Sequence, residues 1–291
     1  MISIVIPSYG RPERLRACLA ALAEQDGGPY ETIVVDDGSP QPLTPVCAEF
    51  GDWVKPVRQV NSGPAAARNK GVANALGDFV CFTDDDCLPA PGWVRALFAA
   101  QDGNPAKLVG GRVVNALLDN VYSETSQAIS DYLYASHQPS SGDAFFTTNN
   151  MGCARGNFLE LGGFDETFRL PAGEDREFGE RWGKHVGPLV FADNAVVKHF
   201  HDLTLAGFWK QQTNYGRGAR HLRRLNSAAP AERSERGNFG KPSFYAGLML
   251  HPLTLPGIGL NRRLALTALT WLSQVAIARG YVAEMRADRL K

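Results

Sequence analysis

The segment Phe79-Val80-Cys81-Phe82-Thr83-Asp84-Asp85-Asp86 joins an apolar run to three consecutive carboxylates. The run reads as a buried strand. Side chains alternate across a strand, so Asp84 and Asp86 are expected on one side and Asp85 on the other. Two like charges facing one space stay ionised only if a cation or hydrogen-bond donors share that space. Mg²⁺ and Mn²⁺ are hard ions that take oxygen ligands and often share them with phosphates. A solvated acidic turn is the plain alternative, and the surrounding sequence weighs against it.

Upstream of this segment, strands alternate with helices. Residues 3–6 read as a strand, residues 12–25 as a helix with Leu15, Leu19 and Leu22 on one stripe, and residues 32–35 as a strand ended by Asp36-Asp37-Gly38-Ser39. Residues 54–60 are a further strand and residues 64–76 an alanine-rich helix. Residues 79–83 are the fourth strand, and residues 91–100 a helix with proline in its first turn. Strands separated by helices predict right-handed βαβ units in a mainly parallel central sheet flanked by helices, an α/β fold. Ligands of such sheets bind beyond the carboxyl ends of the strands. Asp36, Asp37, Asp84 and Asp86 all lie at such ends.

Downstream, residues 108–114 read as a strand, Leu161-Gly162-Gly163-Phe164-Asp165 as a glycine-rich turn and residues 174–184 as a helix. The run Val196-Val197-Lys198-His199-Phe200-His201 is strand-like and puts both histidines on one side. Arg217, Arg220 and Arg224 share one face if residues 204–225 are helical; a solvated face is the default reading of such a cluster. Residues 226–243 read as a polar linker, and residues 244–291 as apolar helices broken by Pro252 and Pro256.

Composition removes several function classes. At 291 residues, with 44% hydrophobic and 21% charged, the chain is an ordinary globular one. Thirty basic residues balance thirty acidic ones, which disfavours nucleic acid as a partner. Five scattered cysteines with no C-x-x-C pair suit a reducing compartment rather than a disulfide framework or a zinc site. No signal-peptide pattern is read at the start, and no run reaches the ~18–20 apolar residues of a spanning helix. These points predict a cytoplasmic protein. The C-terminal helices are left three roles: packing, homodimerisation, or peripheral contact with the inner face of a membrane.

Five pieces together carry a resemblance: Val5-Ile6-Pro7-Ser8-Tyr9; Val34-Val35-Asp36-Asp37-Gly38-Ser39; Asn61-Ser62-Gly63-Pro64-Ala65-Ala66-Ala67-Arg68-Asn69; Phe82-Thr83-Asp84-Asp85-Asp86; and Gly162-Gly163-Phe164-Asp165-Glu166 with Gly173-Glu174-Asp175. Short motifs recur singly by chance, but this order and spacing is specific. From Ser3 to about Arg224 the chain resembles the family 2 inverting glycosyltransferases with the GT-A nucleotide-diphosphosugar transferase fold.

The resemblance implies a catalytic domain over residues 1–225 and a helical C-terminal extension over residues 244–291. It implies transfer of a sugar, from a UDP-sugar by preference, to a hydroxyl of a glycan, a lipid-linked or a small-molecule acceptor. Pro7, Tyr9, Asp37, Arg68 and Asp84 then bind the donor nucleotide. Asp86 and His199 hold Mn²⁺ or Mg²⁺, with an Asp84–Asp85 register left open. Asp175 is the general base, its ionised form favoured by the first-turn amides of its helix. Glu174, Asp165, His201 and Arg217 are candidates for acceptor or phosphate contacts. For each residue a structural role, as turn former, helix cap or core group, stands beside the functional one. Two other functions remain: a non-catalytic nucleotide-sugar-binding module, and a sugar-phosphate nucleotidyltransferase, which the lack of repeated glycines after Pro7 disfavours.

Overall fold

The strand Ile2–Ser8, β1, is buried along its whole length, as a central strand covered on both faces must be. It pairs in parallel with β2 (Tyr30–Asp36) on one side and with β4 (Phe79–Phe82) on the other, and β2 pairs in parallel with β3 (Val54–Arg58). The connections carry α1 (Pro12–Ala23), α2 (Thr44–Ala48) and α3 (Pro64–Ala73). Leu15, Leu19 and Leu22 of α1 are fully buried, the stripe their spacing predicts. The computed structural model describes residues 1–26, 28–136, 146–170, 172–228 and 242–289.

Beyond β4 the sheet reverses direction. β4 pairs antiparallel with β7 (Met151–Ala154), β7 with β6 (Leu108–Asn115), and β5 (Cys87–Pro89) with β8 (Leu189–His199). The eight strands run in the order β3-β2-β1-β4-β7-β6-β8-β5. The sheet is therefore mixed, and parallel pairing holds in its first four strands. Helices α4 (Trp93–Gln101), α6 (Arg155–Glu160) and α7 (Glu174–His185) complete the chain around it. Asn150 locks the antiparallel half: it accepts from Trp93 Nε1 at 2.8 Å and donates to the carbonyls of Arg112 and Ala195.

Contacts divide the chain into two units, residues 1–114 with 145–200, and residues 115–144 with 201–291. The first holds the sheet. The second holds α5 (Val121–Ser136), α8 (Leu205–Ala228), α9 (Pro242–Thr254) and α10 (Leu260–Asp288). Within it Arg262 of α10 pairs with Glu124 of α5 at 2.6 Å, and the Tyr132 hydroxyl donates to the Phe244 carbonyl. In the same unit α8 packs along α10. No described helix is long and apolar enough to cross a membrane.

Several local expectations shift. Pro91 precedes α4, whose N-cap is Gly92, instead of opening it. Pro252 lies inside α9 without breaking it, near enough to the end to cost little continuity. β8 begins at Leu189 and ends at His199, so His201 is not part of the strand. Most of the expected linker, residues 229–241, lies outside the described residues.

Candidate active site

The acidic triplet does not continue β4. The strand stops at Phe82, and Thr83 to Asp86 turn back towards β5, the turn closed by the Cys87 amide donating to the Asp84 carbonyl at 3.1 Å. Strict alternation therefore fails, and the three carboxylates find different partners. Asp85 is fully buried; its Oδ2 accepts from the Ser8 hydroxyl at 2.5 Å and from Arg11 Nε at 3.2 Å, and its Oδ1 forms an ion pair with Arg11 Nη2 at 2.5 Å. Asp86 takes Arg11 Nη1 on Oδ2 at 2.7 Å, and its Oδ1 lies 3.4 Å from His199 Nε2. Asp84 turns to Arg68, accepting from Nη2 at 2.7 Å.

Arg11 was not singled out by the sequence, although it follows the first motif directly. It bridges the two acids that alternation would have separated. Burial pushes the Asp85 carboxyl up to about 7, with the charges of Asp86 and Asp84 adding and that of Arg11 opposing. For Arg11, burial acts to lower its pKa, but the Asp85, Asp86 and Asp84 charges outweigh it and the net shift is upward.

At the end of β2 the two neighbouring aspartates divide the work. Asp36 shapes its own loop, accepting from the Ser39 and Leu43 amides at 2.8 and 3.2 Å and from Arg58 at 2.6 Å. Asp37 reaches across to the loop before α3: Oδ1 accepts from Gln59 Nε2 and the Ser62 amide, each at 2.9 Å, and Oδ2 from the Gly63 amide at 3.0 Å. Gly63 caps α3 at φ 93°, and a Cβ there would stand 2.7 Å from the Arg169 carbonyl oxygen. Pro7 lies within β1, and Tyr9 beyond it is half exposed.

Arg68 is not the surface arginine that helix α3 could have offered. It is buried, with Nη2 on Asp84 and Nη1 on Glu174 Oε1 at 3.1 Å, and its guanidinium carbon 6.0 Å from the centre of the Phe164 ring. It thus joins the acidic turn to the first residue of α7. Glu174 Oε2 is buried without a hydrogen-bond partner. Desolvation, then the Asp175 charge, push the Glu174 carboxyl up, with Arg68 opposing.

Asp175 follows in the first turn of α7 and accepts from the Arg176 amide at 2.8 Å. The helix amides were expected to favour its ionised form, yet the net shift of its pKa is upward. Desolvation outweighs the Arg176 amide and the Arg68 charge. Asp165 accepts from the Thr167 amide at 2.8 Å and shapes its turn. That turn is held from α3 by Asn69, which donates to the Phe164 carbonyl and accepts from the Phe164 amide, both at 2.9 Å. The fixed spacing of the Arg68-Asn69 pair was visible in sequence; its partners were not.

His201 and Arg217 belong to the second unit. His201 Nε2 meets Gln211 Nε2 at 2.7 Å, and Ser123 donates to its carbonyl. Arg217 pairs with Glu284 at 3.3 Å, while Arg220 and Arg224 share Asp288. Acids of α10 thus offset the basic face that α8 carries. Gly110 and Gly111 lie inside β6, the strand read over residues 108–114.

The donor set fits a divalent ion. A carboxylate oxygen of Asp86, Cys87 Sγ and a ring nitrogen of His199 lie within 4.8 Å of one another, an oxygen, sulfur and imidazole combination suited to first-row metals.

The profile of the family described as "Glycosyl transferase family 2" matches residues 3–161, more than half of the chain. Validoxylamine A glucosyltransferase of Streptomyces hygroscopicus subsp. limoneus is 30% identical over 223 residues, 65% of this chain and 49% of that protein. A pre-mycofactocin glycosyltransferase of Mycobacterium tuberculosis is 29% identical over 237 residues, 76% of this chain and 47% of its own length. The chain spans about half the length of these curated relatives. Among solved structures, the mannosyltransferase PcManGT of Pyrobaculum calidifontis, in complex with GDP-Man and Mn²⁺, superposes with a TM-score of 0.67 at 16% identity, covering 98% of this chain and 86% of that one. S. aureus TarS 1-349 in complex with UDP-GlcNAc gives 0.59 at 16% identity, covering 99% and 91%. The fold is GT-A, and the chain belongs to glycosyl transferase family 2.

Proposed function

We propose that this protein is an inverting glycosyltransferase that moves a sugar from a nucleotide-diphosphate donor, UDP-sugar by preference, to an acceptor hydroxyl. The observation that carries the reading is the Arg68 bridge, which ties the acidic turn bearing Asp84 and Asp86 to the helix start bearing Glu174 and Asp175. Donor-side acids and a candidate base thereby share one neighbourhood, although they lie far apart in sequence.

In this reading Asp86 and His199 hold Mn²⁺ or Mg²⁺, which when bound stabilises negative charge on the departing diphosphate. Asp37 and Tyr9 receive the nucleoside. Three donors engage the Asp37 carboxylate, and a carboxylate accepts about four, so Oδ2 keeps a place for a ring N–H. Tyr9 offers a stacking face, and Asp84 orients the ribose while Arg68 fixes Asp84. Asp175 takes the proton of the acceptor hydroxyl as its oxygen attacks the anomeric carbon, from the face opposite the diphosphate. The acceptor belongs to the glycan, lipid-linked or small-molecule classes.

The test is a panel of nucleotide sugars with Mn²⁺, read by thermal stabilisation and nucleoside-diphosphate release. One UDP-sugar is expected to stabilise and turn over. Asp86→Ala should lose metal-dependent binding, and Asp175→Asn should keep binding while turnover falls by about 10²–10⁴-fold. Near-normal turnover in Asp175→Asn would remove the base assignment, and absence of binding across the panel would remove the reading as a whole.

A further inference from the structure

Cys87 opens β5 and is the register partner of His199 at the end of β8. Directly opposed residues of an antiparallel ladder send their side chains to the same face. Asp86, one residue earlier, brings Oδ1 to 3.9 Å from Cys87 Sγ and 3.4 Å from His199 Nε2. The thiol is fully buried, so it is not placed for surface oxidation or disulfide exchange. What it does face is a carboxylate and an imidazole, whose ligand atoms and its sulfur all lie within 4.8 Å of one another.

We propose that Cys87 Sγ is a third protein ligand of the divalent ion, so that the site favours Co²⁺ and Zn²⁺ over Mg²⁺. The inference rests on the metal reading of Asp86 and His199 given above and narrows it. Mg²⁺ demands an oxygen shell of near-octahedral geometry and is poorly served by sulfur. Softer first-row ions accept thiolate and imidazole together. As the ion enters, the S–H bond breaks, the proton leaves to solvent, and the sulfur lone pair forms the bond to the metal; nothing is oxidised or reduced. Cys18, whose Sγ is directed at the Asp84 carbonyl at 3.5 Å, serves as the internal control.

The experiment is titration of the full chain with Co²⁺ alone, read by near-ultraviolet absorption, and X-ray absorption of the Zn²⁺-loaded protein. A sulfur-to-cobalt charge-transfer band saturating at one ion per chain is expected, with a zinc–sulfur distance of about 2.3 Å. Cys87→Ser should lose the band with an unchanged far-ultraviolet circular dichroism spectrum, and Cys18→Ser should keep it. Co²⁺ affinity should fall in Cys87→Ser by about tenfold or more, in line with losses from disturbed metal shells, and Mg²⁺ affinity by much less. An ion bound without a sulfur neighbour, or a band that survives Cys87→Ser, overturns the proposal and leaves the Asp86–His199 reading intact. No ion bound at all overturns both. Should Cys87→Ser not fold, the sulfur shell of the wild-type protein decides alone.

Discussion

The Arg68 guanidinium and the Glu174 carboxylate, separated by 106 residues, meet at 3.1 Å with both side chains buried. The other arm of the guanidinium holds Asp84. Removing one partner of a buried pair leaves an uncompensated charge and costs about 3–5 kcal/mol. Arg68→Met is therefore expected to destabilise the protein by that amount in urea denaturation. Arg68→Lys should recover little, because one ammonium group cannot reproduce a planar fork that addresses two carboxylates at once. Equal stability of Arg68→Lys and wild type would show that the fork geometry is immaterial.

The same cation sets a pH dependence. Desolvation holds the Asp175 carboxyl above its ordinary value of 3.8, and the Arg176 amide and then the Arg68 charge pull it back. A base acts only when ionised, so kcat/KM is expected to fall on the acid side with a midpoint above 3.8. Loss of the Arg68 charge makes the carboxylate harder to form, and the acid limb of Arg68→Gln should move to higher pH. A pH–rate profile of both proteins with a saturating metal ion checks this. An unmoved limb would detach Arg68 from the base.

Asp36 predicts a stability effect of opposite sign. Burial acts to raise its pKa, but the Ser39 hydroxyl and amide, the Leu43 amide and Arg58 outweigh it, and the net shift is below the ordinary 3.8. A carboxyl depressed on folding stabilises fully above its unfolded pKa and loses that contribution as pH falls through the folded one. The gap between wild type and Asp36→Asn should thus be constant at neutral pH and close only below about pH 3.8. Denaturant melts from pH 7 down to pH 2 measure it. A gap that closed at pH 5 to 6 would assign the effect to another group.

The strands β1 and β4 were legible because each is a short apolar run ended by a turn, and β2 and β3 because parallel βαβ units impose the alternation of strand and helix. Asp37, Asp84 and Asp86 were singled out since strand ends collect ligands in such sheets. Pairing direction beyond β4 was not legible: Met151–Ala154 reads equally well in either direction, and nothing local fixes which neighbour it takes. Arg11, and the partners of Arg68, escaped for a related reason. A charged side chain declares its type in sequence but not its partner, and both arginines are defined by acids more than a dozen residues away. The Arg217 face looked basic because the acids that pair with it, Glu284 and Asp288, come from a different helix.

Gly216 and Gly280 mark the place where α8 and α10 cross. A Cβ at Gly216 would stand 1.9 Å from the Ile277 carbonyl oxygen, and one at Gly280 1.9 Å from that of Thr213. Taken as isolated helices, Gly→Ala gains about 0.8–1.0 kcal/mol of helix propensity. Here the obstacle is backbone, which has no rotamer to turn aside, so the helices must separate; overpacking of this kind costs about 1–3 kcal/mol. Separation would also lengthen the Arg217–Glu284 pair beside the crossing, now 3.3 Å. Each single alanine is therefore expected to destabilise in spite of its propensity. The double substitution should cost less than the sum, since the first methyl group already opens the gap the second needs. Urea melts of the two single variants and the double variant form the cycle. A net gain in stability from Gly280→Ala would mean that the helices cross at a greater distance than this packing requires.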